Sequence, residues 1–293
     1  MVGADIAEAE GITGKGVKVA VLDTGIDAVS YQLPMATGES FVTGEPWPYD
    51  NNGHHTHVAS TIGGQPFRHP FGLLKGVAPG AELIHIKVLG YGLGFGNMSD
   101  ILAGMQRAKE LGAKIINMSL GGKDTDDPEA PEFRAVKQLT EAGIIVCIAV
   151  GNEGPKPGTV ASPGSAPDAL TVGAIDMRGN LASFSSRGPT KLNLVKPDVV
   201  APGVNILSES AGLIAAYRAV DTLKAANISG SSMACPHCAG VVALAVELAR
   251  RRGIELTTPM VKAALEAFGK PKDNETGWGL ITYPLLKRFI EGS

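Results

Sequence analysis

Short apolar runs alternate with segments of helical period along this chain. The runs at 17–22, 83–88, 115–118, 144–150 and 170–175 are rich in Val and Ile, as strands buried on both faces of a parallel sheet are. Ser99 is expected to cap a helix whose Ile101, Leu102, Met105, Ala108 and Leu111 share one face and which Gly112 closes. A second helix carries Phe133, Val136 and Leu139 and stops at Gly143, and a third opens at Thr258-Pro259 and ends at Phe268-Gly269. The apolar stretch 239–249 reads as a helix too, with Pro236 expected in its first turn, where a missing N–H costs nothing. Strand–helix alternation with short connections predicts an α/β fold: a mostly parallel twisted sheet covered by helices on both faces, three layers in all. No Gly/Ser- or Pro-rich linker divides the chain, so 1–293 is expected to form one domain. Ligands of such sheets bind at the carboxyl ends of strands. Asp23, Ser119 and Asn152 fall there, on different strands.

Candidate chemistry begins with Gly230-Ser231-Ser232-Met233-Ala234-Cys235-Pro236-His237. Ser232 lies among small residues at a predicted helix N-terminus, where free N–H groups and the helix dipole favour developing negative charge. A serine needs a neighbouring base to act as a nucleophile. Asp50-Asn51-Asn52-Gly53-His54-His55-Thr56-His57 supplies an imidazole at His54, and the buried-looking strand ending Leu22-Asp23-Thr24-Gly25 supplies a carboxylate at Asp23. In chain order these read Asp, His, Ser, one of the orders in which a Ser–His–Asp triad occurs. Two other readings fit less. Apolar-Asp-Thr-Gly also marks aspartic proteases, but those need a second carboxylate sharing a proton, and no second Asp-Ser/Thr-Gly occurs. Cys235-Pro236-His237-Cys238 has the spacing of a redox motif, yet it follows the serine segment and lies far from a thioredoxin-like context.

These three segments resemble the Asp, His and Ser motifs of the subtilisin-like (subtilase) serine proteases, and further matches run from Gly16 to Leu280. The resemblance implies a subtilisin-like three-layer fold and a serine endopeptidase that cleaves extended polypeptide through an acyl-enzyme. It implies Ser232 as nucleophile, His54 as base and Asp23 as the group orienting it. In Gly151-Asn152-Glu153-Gly154, Asn152 resembles the family's oxyanion donor, with the Ser232 N–H as the second. Ser119-Leu120-Gly121-Gly122 resembles the substrate-binding strand, which pairs with an extended peptide by strand addition. With Gly151 and Ala161 it would bound the pocket for the side chain before the scissile bond. Ala161 is small, so a large apolar side chain is expected there, with Glu153 at the rim tolerating Lys or Arg. His57 and His237 match family positions outside the triad and are read as members of hydrogen-bond networks.

The chain also departs from the family pattern. His55 stands where Gly usually follows the catalytic His, which could crowd the substrate or perturb His54. That departure motivates a rival reading, a catalytically impaired subtilase fold that binds peptides. The segment 63–71, where relatives often carry an Asn-rich calcium loop, has no carboxylate or Asn, so that site is expected to be absent. Asp124, Asp126, Asp127 and Glu129 form an acidic cluster that could take Ca²⁺, although a solvated loop is the simpler reading. His54-His55-Thr56-His57 lacks further ligands at zinc spacing. No metal site is therefore expected, and no cofactor is required. The segment 211–226 looks like an added helix near the cleft.

Composition narrows the partners. The chain has 293 residues, of which 44% are hydrophobic and 19% charged, enough to bury a large core. Its net charge of −3 comes without a basic stripe, which argues against nucleic acid. No apolar run approaches the ~18 residues of a membrane span, and the first residues show no export signal. A monomer acting on polypeptides is expected, and the resemblance adds a propeptide absent from this sequence. The resemblance also implies secretion after processing, whereas three cysteines, an odd number, lean toward a reducing compartment.

Overall fold

The computed structural model describes residues 1–34, 37–70, 72–90, 92–219 and 224–292. Its main sheet contains β1 (Lys18–Asp23), β2 (Thr37–Ser40), β5 (Glu82–Lys87), β6 (Ile115–Met118), β7 (Ile145–Ala149), β8 (Leu170–Ile175) and β9 (Val199–Pro202). The order is β2-β5-β1-β6-β7-β8-β9, and every pairing is parallel. Two small antiparallel hairpins flank it, β3 (Phe67–His69) with β4 (Gly72–Leu74), and β10 (Ile206–Glu209) with β11 (Ala225–Ile228).

The period of two along β1 divides the core. Val19 and Val21 point into one cluster with the helices α2 (His54–Gly63), α6 (Ser231–Arg251), α7 (Thr258–Phe268) and α8 (Tyr283–Glu291). Ala20 and Leu22 point into the other, against α3 (Met98–Glu110) and α4 (Pro131–Glu141). Both faces are covered, so the strands need no polar side, and their uninterrupted apolar runs follow from that.

Helix α6 is longer than the apolar pattern predicts. It starts at Ser231, so Pro236 lies inside it rather than in its first turn. Proline removes the N–H that would bond the carbonyl four residues back, which is that of Ser232. The Ser119 hydroxyl takes this place, donating to the Ser232 carbonyl at 2.9 Å. By length and composition α6 could cross a membrane, but 89% of its most apolar stretch is buried within the protein. It is apolar all round because it runs through the core. Helix α3 likewise begins one residue before Ser99, after Asn97.

The two ends of the fold meet. The Tyr283 N–H donates to the Val2 carbonyl at 2.9 Å, and the Tyr283 hydroxyl donates to Glu10 on the segment after α1 (Ala4–Ala9) at 2.8 Å. Glu247 near the far end of α6 accepts the N–H groups of Thr13, Gly14 and Lys15 at 2.7–2.9 Å. The added segment forms helix α5 (Gly212–Arg218), while 220–223 lie outside the described residues, as does Phe71 in the 63–71 stretch.

Candidate active site

Each candidate side chain is delivered by the end of an element. Asp23 is the last residue of β1, His54 the first of α2, and Ser232 the second of α6. Ser119 and Asn152 follow β6 and β7. Eight of the nine residues expected at the site line one open cleft of about 1050 Å³. The ninth, Asp23, lies fully buried behind His54.

Asp23 holds the His54 ring from below. Nδ1 of His54 lies 2.8 and 2.9 Å from the two Asp23 oxygens, so Nδ1 carries the proton and Nε2 is left as a free base. Asp23 Oδ1 also accepts the Thr24 N–H at 2.7 Å. Burial opposes charge on His54 most strongly, but the charge and hydrogen bond of Asp23, with Asp50 adding to them, outweigh it. The net effect raises the imidazole above its usual 6.5.

Asp50 is a site residue that the sequence reading missed. It is 6% exposed and accepts four hydrogen bonds: from the Gly53 and Thr56 N–H groups and from the Thr24 and Thr56 hydroxyls, at 2.6–3.0 Å. The residue before α2 is Gly53 (φ 98°), which has no side chain to cap the helix, and Asp50 supplies the missing acceptor from three residues upstream. The available signal was an acid shortly before the histidine helix, a pattern easily read as loop. Helix α5 presses on the same turn. The N–H groups of Leu213 and Ile214 donate to the Asn51 and Asn52 carbonyls at 3.0 and 2.8 Å. A Cβ on Gly53 would meet the Ala211 carbonyl oxygen at 2.0 Å, so only glycine fits there.

The nucleophile and the oxyanion donors face one another across the cleft. The Ser232 hydroxyl donates to the Ser119 carbonyl at 3.2 Å, and among the described residues it makes no bond to His54. The Asn152 Oδ1 accepts the Ser231 N–H at 2.8 Å. That contact sets the amide orientation and turns Nδ2 toward the Gly230–Ser232 turn, where a Cβ on Gly230 would lie 3.7 Å from it. The Ser232 N–H has no hydrogen-bond partner among the described residues. Ser231 contributes differently, its hydroxyl accepting the Gly151 N–H at 3.2 Å.

Two segments wall the neighbouring pocket. Gly122 and Ser162 exchange backbone hydrogen bonds at 2.8 and 3.1 Å, and the Ala161 N–H donates to the Val150 carbonyl at 2.9 Å. The Ala161 methyl sits between Gly121 and Gly151, where an added Cβ would approach it to 2.9 and 3.0 Å.

His55 does not crowd the cleft. It is fully buried and turns to the sheet, its Nε2 2.9 Å from Nδ1 of His85 on β5. Burial drives both rings toward the neutral form, His85 down to about 4 and His55 well below its usual value. One ring must then donate to the other through complementary tautomers. His57 donates from Nε2 to the Ile206 and Ala226 carbonyls at 3.0 and 3.1 Å, and burial holds it down at about 3. His237 donates to the Met233 carbonyl at 2.8 Å. Both are network histidines, as expected.

Cys147, Cys235 and Cys238 are free and buried. Burial raises Cys235 and Cys238 well above the usual thiol value. In the acidic loop, Asp124 accepts the Thr125 and Lys191 N–H groups and Asp127 that of Glu129. Among the described residues no three His, Cys, Asp or Glu side chains gather as metal ligands would.

Known proteins decide the family. The Subtilase family matches residues 14–279. The chain is a subtilase. It is 38% identical over 285 residues to serine protease AprX of Bacillus subtilis (strain 168), covering 87% of this chain and 61% of that protein. It is 43% identical to Subtilisin Savinase of Lederbergia lenta, covering 82% of this chain and 80% of that protein. With M-protease of Shouchella clausii it shares 43% identity over 82% of this chain and 57% of that protein. The chain thus spans about three fifths of the length of AprX and M-protease. Among solved structures, the prenylagaramide maturation protease PagA superposes with a TM-score of 0.80 at 26% identity, covering 100% of both chains. The seven-stranded sheet is accordingly the subtilisin-like α/β fold.

Proposed function

We propose that this subtilase is a serine endopeptidase acting on extended polypeptide through an Asp23–His54–Ser232 triad. The observation that carries the reading is the bidentate approach of His54 Nδ1 to the buried Asp23, which leaves Nε2 unprotonated and facing the cleft that holds Ser232. Rotation of the Ser232 side chain away from the Ser119 carbonyl turns its proton toward Nε2. The freed oxygen attacks the scissile carbonyl, and His54 later returns the proton to the leaving amine. The unpartnered Ser232 N–H and Asn152 Nδ2 are disposed to receive the oxyanion. The N–H and C=O groups of Leu120 and Gly121 take part in no backbone hydrogen bond among the described residues, which leaves them for an incoming strand. All of this chemistry is carried by protein groups and calls for no cofactor, and the substrate meets a monomeric chain. The rival reading as an impaired peptide binder loses its motive, because His55 is turned away from the cleft.

A fluorophosphonate probe tests the proposal. It should label Ser232, and Ser232→Ala should lose labelling and cut peptide hydrolysis by roughly 10⁶, the scale known for loss of the nucleophile in subtilisin itself. A folded wild-type protein that neither labels nor hydrolyses would refute it.

A further inference from the structure

We infer that Glu132 makes the pocket before the scissile bond selective for a cationic side chain, Lys or Arg, a proposal that rests on the peptidase reading above. Glu132 is the second residue of α4, where an acid suits the helix dipole. Its surroundings ask for more than that. It is only 8% exposed, and its remaining surface lines the substrate cleft. Oε1 accepts the Ser162 hydroxyl at 2.8 Å. Among the described residues Oε2 has no hydrogen-bond or salt-bridge partner, the carboxyl's one contact being that of Oε1, and it is not one of the sealed-off polar atoms. Ser162 follows Ala161 and pairs with Gly122, so this carboxyl stands where the two walls of the pocket join.

A carboxylate offers about four acceptor positions, and here a single hydroxyl occupies one of them. Filling the pocket with a large apolar side chain would strip the remaining water from Oε2 and give nothing in return. A Lys ammonium or Arg guanidinium replaces that water with a charge-assisted hydrogen bond. The other charged groups on the cleft wall leave this balance in place. Glu153 and Asp124 add negative charge, while Lys123 and Lys191 are exposed and neither is ion-paired to Glu132. The pocket therefore favours a cation at depth, and Glu153 at the rim extends the same sign of field. This revises the apolar preference expected from Ala161 alone. Sequence order gave no means of bringing a residue on α4 to the wall beside residue 162.

The test uses one peptide sequence varied only before the scissile bond, as Lys, Arg, Leu or Phe. Wild-type protein should show kcat/KM for Lys and Arg at least tenfold above Leu and Phe, and Glu132→Gln, which still offers Ser162 an acceptor, should lower the Lys-to-Leu ratio at least tenfold. A merely structural role for Glu132 would lower all four rates together and leave the ratio unchanged. Calorimetric binding of the Lys and Leu peptides to Ser232→Ala separates this inference from the peptidase reading. Tighter binding of the Lys peptide, lost on adding Glu132→Gln, supports the inference even if the wild type hydrolyses nothing. Equal binding, or a Lys-to-Leu ratio unaffected by Glu132→Gln, overturns it even if the enzyme is active.

Discussion

Mild acid should destabilise this fold through its buried histidines. His57 and His85 are fully buried and held neutral, with folded values of about 3 and about 4 against the ordinary 6.5, burial being the main cause in each. The unfolded chain therefore binds protons that the folded one refuses, and stability falls as pH drops below 6.5. Between pH 6 and pH 5 each such histidine costs about 1.2 kcal/mol, and the two together roughly 2.5 kcal/mol, at about 1.36 kcal/mol per unit of differential titration. His55 and His237 are also lowered and act in the same direction. His54 has the opposite sign, since its folded value is raised. Its stabilising contribution is essentially complete below the unfolded value, so it changes little within this window. The measurement is urea unfolding of the Ser232→Ala variant, which removes self-digestion, at pH 6 and pH 5. His57→Gln lacks a titrating group and should shrink the pH gap by about 1.2 kcal/mol, whatever its effect on absolute stability. A gap under about 0.5 kcal/mol, or greater stability at pH 5, would refute the reasoning.

Activity has its own acid limit: kcat/KM should rise with pH through a midpoint above the ordinary ~6.5 of histidine, because Asp23 holds a proton on His54. A midpoint below 6 in folded protein would contradict the Asp23 contact. Ser119→Ala should cost about 2 kcal/mol of stability by stranding the Ser232 carbonyl inside the helix, and should slow fluorophosphonate labelling; denaturant titration and labelling kinetics check both, and no change in either would count against it. The thiols should resist iodoacetamide in the native state and react only on unfolding, since all three are buried; rapid native modification seen by mass spectrometry would show otherwise.

The central strands were legible because burial on both faces leaves an unbroken apolar signature, and helices α3, α4 and α7 because one buried face leaves a helical period. Strand β2 was not, because its Thr37-Gly38-Glu39-Ser40 lies at the polar edge of the sheet and is recognised only through its pairing with β5. Asp23, His54, Ser232 and Asn152 could be read because each sits at an element end with a distinctive local motif. Asp50, Glu132 and the His55–His85 contact could not, because each depends on a partner from another element. Pro236 shows the same limit. Propensity placed it at a helix start, and only the Ser119 hydroxyl, reaching from the end of β6, explains how the helix tolerates it.

The meeting of Val2 with Tyr283 makes the path of the chain nearly a closed ring. At ~1.5 Å per residue, the distance along α6 from Ser232 to Glu247, where the first loop is moored, is roughly 22 Å. The seam between the ends therefore lies remote from the cleft. A permuted protein with the ends bridged, and opened instead at the exposed 177–179 turn, keeps every contact that orients His54 and Ser232.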